Sequence, residues 1–172
     1  MYISNKFFDI LDGILTLDEC TFLIQKFTNE ELKPLQNSMA DYDRGIWDDE
    51  TWSDKIFQRV KPFLPEEIRD KVGVNTYLRF SKYKDGGRFD RHVDGVNQDK
   101  YGRRTIMTIN IFLNSADEFQ GGETEFYDDA GQLVYRAVPK AGCGAVFDRE
   151  IPHCGNVVHG GYKYLIRTDV MM

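Results

Sequence analysis

Residues 104–113, RTIMTINIFL, alternate between two chemistries, and that alternation decides how the chain folds. Thr105, Met107, Ile109, Ile111 and Leu113 make one largely apolar side, while Arg104, Ile106, Thr108, Asn110 and Phe112 make a side that mixes charge, hydroxyl and amide with carbon. Strand side chains point to opposite faces with a period of two. The segment therefore predicts a strand with one face on an apolar core and the other on a polar-lined cavity. The same period recurs in residues 75–83 (NTYLRFSKY), 122–127 (GETEFY), 144–148 (GAVFD) and 163–172 (KYLIRTDVMM), with Gly-rich or Asp-rich turns between them. Several short strands of this kind predict a sandwich or barrel. Tyr77, Arg79, Ser81 and Tyr83 share one face of the first of these segments, and Lys163, Leu165 and Arg167 share one face of the last. A polar inner wall built from these faces implies a ligand cavity.

Upstream, residues 1–73 read mainly as helices that brace the sheet. Thr16-x-x-Glu19 is a capping-box pattern, and Leu15, Cys20, Phe22, Leu23 and Phe27 recur at helical spacing, which predicts a helix over 17–29. A second helix is expected over 51–64, with Trp52, Ile56, Val60 and Phe63 on one stripe and a stop at Pro62 to Pro65. Between them Asp41 to Glu50, DYDRGIWDDE, predicts a solvated acidic loop, with a lid or a receptor for a basic peptide as its functional alternative.

A chain of 172 residues with 41% hydrophobic and 13% aromatic content fits one domain, 1–172, that can bury a core. The net charge of −6 excludes a nonspecific nucleic-acid binder, because polyanion affinity comes from clustered Lys and Arg. The cysteines, Cys20, Cys143 and Cys154, are odd in number and far apart, which fits a reducing compartment and predicts a cytoplasmic protein. The opening stretch, MYISNKFFDILDGILTLDEC, has no cationic segment followed by a long apolar run, and no membrane association is expected. Nothing in the chain specifies an oligomeric state.

Chemistry concentrates at His92-Val93-Asp94 in FDRHVDG (89–95) and at His153, 59 residues after Asp94, in REIPHCGN (149–156). At a strand end, positions two apart point the same way, so His92 and Asp94 converge while Val93 faces away. A histidine from a distant strand then completes a set of two imidazoles and one carboxylate. That set on one side of a metal is the arrangement of non-haem Fe(II) oxygenases, which leaves coordination positions open for a chelating 2-oxo acid and O2. The proposal uses two of only three histidines, both in Gly-flanked polar settings. Cys154 reads as a small packing residue and His159 as a turn residue.

Three segments carry a family resemblance: LRFSKYKDGGRFDRHVDG (78–95), FLNSADEFQGGETEF (112–126) and PKAGCGAVFDREIPHCGNVVHGGYKYLIRTDV (139–170). In this order they resemble the prolyl 4-hydroxylase-like branch of the Fe(II)/2-oxoglutarate-dependent dioxygenases. The resemblance implies a mainly β, α+β protein whose residues 74–172 form a double-stranded β-helix, or jelly roll, behind a helix-rich brace of residues 1–73. It makes His92, Asp94 and His153 the iron ligands and catalytic centre, and Lys163 the partner of the 2-oxoglutarate C5 carboxylate. It also assigns Tyr83 and Thr108 as hydroxyl donors, with Arg167 on the same inner face as an alternative carboxylate partner. The implied activity is hydroxylation of a peptidyl proline with Fe(II), 2-oxoglutarate and O2, releasing succinate and CO2, with ascorbate as an accessory. The alternatives are a hydroxylase of a free amino acid or other small molecule, and a non-catalytic metal- or ligand-binding jelly-roll module. Asp94 favours hydroxylation over halogenation, since related halogenases lack that carboxylate. Phe89 departs from the tyrosine that some relatives carry three positions before the first histidine.

Overall fold

The period-two segment at Thr105–Phe112 becomes a central strand whose two faces do different work. The computed structural model describes residues 1–172, and its elements run in chain order. They are β1 (Tyr2–Ile3), β2 (Lys6–Leu11), α1 (Leu17–Thr28), β3 (Lys33–Gln36), β4 (Ala40–Asp48), α2 (Glu50–Val60), α3 (Glu66–Arg69), β5 (Gly73–Val74), β6 (Tyr77–Tyr83), β7 (Arg88–His92), β8 (Thr105–Phe112), β9 (Gln120–Gly121), β10 (Thr124–Tyr127), β11 (Leu133–Ala137), β12 (Gly144–Asp148), β13 (His153–Gly155), β14 (Val158–His159) and β15 (Lys163–Met171). All strand pairings of the main ladder are antiparallel, in the order β1-β2-β12-β8-β15-β6-β4-β7-β13-β10-β11, with β3 added beside β4 and β5 beside β15; β9 and β14 form a separate ladder.

Aromatic packing shows that this ladder folds over on itself. Phe126 of β10, near one end of the order, has its ring 4.7 Å from that of Phe8 on β2, near the other end, and 5.0 Å from Phe147 on β12. Tyr135 of β11 reaches Phe8 as well. Two sheet halves thus face each other across a small apolar cluster, the sandwich that a jelly roll requires.

The outer face of the larger half is covered by helices. Met107, Ile109 and Ile111 of β8, with Leu113 just beyond it, join Leu23 and Phe27 of α1 and Ile56 and Val60 of α2 in one buried core. The expected apolar side is thereby observed in full except for Thr105, whose hydroxyl lies beside Asn97. Ile106, assigned to the cavity side by alternation, packs against the helix-side core instead.

The start of α1 follows its sequence. Thr16 Oγ1 accepts from the Glu19 amide, and the Glu19 carboxylate accepts from the Thr16 amide at 2.9 Å, the reciprocal capping box. The same carboxylate receives Arg59 and Lys55 of α2, and the Arg59 hydrogen bond is the main reason its pKa falls to about 2. One residue therefore caps one helix and ties it to the other.

Residues 1–73 are not mainly helical. β2 and β4 are integral strands of the sheet, and DYDRGIWDDE is β4 running into α2, not a solvated loop. In β4, Tyr42 and Arg44 face the cavity, and Gly45 lies so close to Phe27 and Leu32 that a Cβ there would meet Leu32 Cδ2 at 2.9 Å. In β2, Phe7 faces the helix core and Phe8 the sandwich interior, so each side carries a buried aromatic ring.

Candidate metal centre and its cavity

β7 ends at His92 and β13 begins at His153, and these two residues are direct partners in the antiparallel register. The ladder itself therefore places one imidazole beside the other, ring centroids 4.4 Å apart. Asp94 lies two residues beyond β7, where its amide donates to the Arg149 carbonyl at 2.9 Å and turns the chain so that its carboxylate meets both rings. His92 Nε2 is 3.7 Å from Asp94 Oδ1, and His153 Nε2 is 3.7 Å from Asp94 Oδ2. One ligand atom from each residue lies within 4.8 Å of the others.

The tautomers are set from behind. His92 Nδ1 faces the Asp90 carbonyl at 2.7 Å, and His153 Nδ1 faces the Ile151 carbonyl at 3.0 Å. A carbonyl can only accept, so each Nδ1 carries the proton and each Nε2 offers a lone pair to the centre. Burial lowers the pKa of both rings, that of His153 to about 4, which keeps them neutral as metal ligands must be. Phe89 stacks on His92 with centroids 3.7 Å apart and an interplanar angle of 16°, and Phe147 meets His153 edge-on. Burial pushes the Asp94 carboxyl up, but the nearby Arg167 guanidinium and the Thr108 hydroxyl work against it, and the carboxyl stays below its usual range. Two neutral imidazoles and an ionised carboxylate around one point fit Fe(II).

The cavity beside this triad, about 180 Å³, has Tyr42, Arg44, Arg79, Ser81, Tyr83, Phe89, Asn97, Leu165 and Arg167 among its walls. Tyr83 is buried, and burial raises its pKa, so it presents a neutral hydroxyl. Thr108 is fully buried and donates to Asp94 Oδ2 at 2.5 Å, so its hydroxyl is engaged with the metal ligand. Arg167 Nη2 lies 3.2 Å from Asp94 Oδ1 and 3.0 Å from Asp169 Oδ1.

Lys163 is only 2% exposed. Its Nζ donates to the Gly122 carbonyl at 2.6 Å and sits over the rings of Tyr83 and Phe112, at 5.2 and 5.5 Å from their centroids, with no carboxylate in salt-bridge range. Burial lowers its pKa to about 8. A buried ammonium without a counter-charge is costly, so Lys163 is suited to receive a carboxylate. Gly122 makes room for this arm: its φ is +71°, and a Cβ there would meet Phe119 at 2.9 Å and Lys163 Cδ at 3.3 Å.

The structure thus brings His92, Asp94, His153, Tyr83, Thr108 and Arg167 around one point, with Lys163 behind Tyr83's ring. Sequence reasoning missed Tyr42, Arg44, Asn97 and the fully buried Asp169. Tyr42 and Arg44 obey the same two-residue spacing as the other cavity walls, but Asp41 and Asp43 between them leave no apolar face to mark the strand. Arg104 does not line the cavity; its backbone pairs with Met172. Cys154 is buried beside Tyr127 and Glu125, and His159 is exposed at the end of β14.

A family model described as the 2OG-Fe(II) oxygenase superfamily matches residues 78–168. Among solved structures, the viral collagen prolyl hydroxylase of Paramecium Bursaria Chlorella virus-1 is 21% identical, with a TM-score of 0.72 over 96% of each chain. The Pseudomonas putida prolyl-4-hydroxylase is 18% identical, with a TM-score of 0.67 over 95% of this chain and 91% of its own. The prolyl hydroxylase of Trichoplax adhaerens, solved with a hypoxia inducible factor peptide fragment, is 16% identical, with a TM-score of 0.69 over 95% and 83%. These likenesses show the jelly-roll fold. No curated protein sequence matches the chain.

Proposed function

The chain belongs to the 2OG-Fe(II) oxygenase superfamily, and from that premise we propose that it is a prolyl 4-hydroxylase-like enzyme acting on a peptidyl proline. Fe(II), 2-oxoglutarate and O2 are the reagents of the family, and together they supply the oxidation that converts a C–H bond to an alcohol with release of succinate and CO2. The protein's own residues do the rest. His92, Asp94 and His153 hold the metal, their orientation fixed by the Asp90 and Ile151 carbonyls and the Thr108 hydroxyl. Lys163 holds the C5 carboxylate, with Tyr83 as a further donor. Arg167 is the weaker candidate for that role, because its guanidinium is already shared between Asp94 and Asp169.

The single observation that carries the reading is Lys163: a buried, unpaired ammonium near a three-ligand metal site has no use in a barrel that only binds metal. That argues against a non-catalytic module. The peptide substrate rests on the likeness to prolyl hydroxylases, and the second reading, a free amino acid or other small molecule, is favoured by the small cavity. No helix is long and apolar enough to cross a membrane. A cytoplasmic location and an accessory role for ascorbate belong to the same proposal, the first supported by three unpaired, buried cysteines.

The test is an anaerobic titration of metal-free protein with Fe(II) and then 2-oxoglutarate, followed by air and a proline-containing peptide. A visible charge-transfer band that requires both additions, then succinate and hydroxyproline in equal amounts, is the expected result. Absence of the band from folded protein that retains Fe(II) overturns the oxygenase reading.

A further inference from the structure

Arg44, Arg79 and Arg167 stand on three neighbouring strands and line the same cavity beside the metal ligands. Arg79 and Arg167 are direct partners across the β6/β15 ladder, where like charges repel. The chain holds them together with Asp169, which is fully buried: Arg79 Nη1 meets its Oδ2 at 2.8 Å and Arg167 Nη2 its Oδ1 at 3.0 Å. Asn97 donates to the same carboxylate at 3.3 Å. Both guanidinium groups are therefore fixed before any ligand arrives.

Two of the three guanidinium groups, Arg79 and Arg167, share two carboxylates, and one of these, Asp94, is a proposed metal ligand. Arg44 has no carboxylate in salt-bridge range, and Arg167 Nε is buried without a hydrogen-bond partner. Bound Fe(II) and the 2-oxoglutarate dianion carry equal and opposite charges, so loading the centre leaves the cationic excess in place. Lys163 is not a wall of this cavity and answers a different carboxylate. A positive excess in a part-buried cavity calls for an anion, and a cavity of about 180 Å³ admits only a small one.

We infer that Arg44, Arg79 and Arg167 form an anion site for the primary substrate, and that the enzyme hydroxylates a substrate bearing a carboxylate in or close to its target residue. This deepens the proposed function and rests on it. The carboxylate comes from the target residue itself, as in a free amino acid or a C-terminal residue, or from an acidic neighbour in a peptide; the shared chemistry is the charge that the arginines receive.

The experiment compares acids with their amides on protein loaded with Mn(II) and N-oxalylglycine, which cannot turn over. N-acetyl-proline, N-acetyl-prolinamide and an internal-proline peptide with and without a flanking glutamate are titrated by calorimetry, together with the acid and amide of several other N-acetyl amino acids. Binding of the acid about tenfold or more above its amide is expected for the wild type. Arg44→Gln shrinks that ratio to below about threefold, Arg44→Lys restores part of it, and the affinity for N-oxalylglycine stays the same. Preference for N-acetyl-proline over the glutamate peptide identifies the target's own carboxylate as the source, and the reverse identifies the neighbour. Equal binding of acids and amides by the wild type overturns the anion site while leaving the proline reading intact. If no proline compound binds but other acids still exceed their amides, the proline reading fails and the anion site stands. Loss of N-oxalylglycine affinity in Arg44→Gln assigns the arginines to the co-substrate and overturns the inference. Arg44 makes no ion pair in the fold, so its variants retain the wild-type melting temperature, and that measurement accompanies each titration.

Discussion

The two faces of one half-sheet, β8, β15 and β6, differ more from each other than any two strands do. On the helix side, Ile109, Ile111, Leu78, Phe80 and Ile166 are wholly buried hydrocarbon. On the cavity side, Thr108, Ser81 and Asp169 carry hydroxyls and a charge at nearly equal depth, and the half-buried Arg79 and Arg167 reach in beside them. The difference teaches how a small domain holds an ionic site. Buried ion pairs return little net stability, so the hydrocarbon face supplies the surplus that keeps the charged face in register. Stability and chemistry are therefore properties of opposite sides of the same strands.

The comparison is broken most severely by Asp94→Ala. Iron-dependent succinate release per folded molecule is expected to vanish, a loss beyond the roughly 100-fold that removing a metal ligand's supporting partner costs. Full turnover in that variant removes the metal assignment. Ile109→Ala is the mirror experiment: a loss of about 2–5 kcal/mol in denaturant unfolding, with succinate release per folded molecule unchanged. If turnover falls further than the folded fraction, the two faces are not separable.

Lys163→Ala probes the boundary between them, since this residue is buried like the core yet charged like the site. Affinity for 2-oxoglutarate, read from the charge-transfer band, is expected to weaken about 10- to 150-fold. The wild type adds a pH signature. Burial lowers the Lys163 pKa from 10.5 to about 8 in the free protein, so above that pH the ammonium must be re-formed to meet the carboxylate, and affinity falls by about tenfold per unit. The variant should show no such slope. Over the same interval the free protein gains stability as pH rises, because there the unfolded chain still binds a proton that the folded one has released. The smallest effect is Thr16→Ala at the α1 capping box, about 0.5–2 kcal/mol in thermal or denaturant unfolding, with the cavity side untouched in any 2-oxoglutarate titration.

How much of this was legible in the sequence follows from which faces carry hydrocarbon. β8 and β15 announced themselves, because one side alternates cleanly against polar residues. The convergence of His92, Asp94 and His153 was legible from spacing, since a strand end converges positions two apart and a second histidine had few competitors. β4 was illegible for the opposite reason: its cavity face holds Tyr42 and Arg44 and its other face Asp41 and Asp43, so no apolar period exists to find. β2 was hidden because Phe7 and Phe8 are both buried, one in each of two cores, and a short apolar run does not distinguish strand from helix. The arginine cluster depends on pairing between strands far apart in the chain, which composition cannot reveal; its partner Asp169 looked like one more charge near the end of the chain.

Gly122 gives the proposed co-substrate site a dependence on a distant turn. The residue contributes an absence: the volume its missing side chain leaves is shared by the Phe119 ring, Val158 and the Lys163 methylenes, and its carbonyl receives the Lys163 ammonium. A turn 41 residues upstream of the lysine thus acts as the mould in which the lysine is cast. A side chain at position 122 would press on the stem of the lysine while its backbone still held the ammonium.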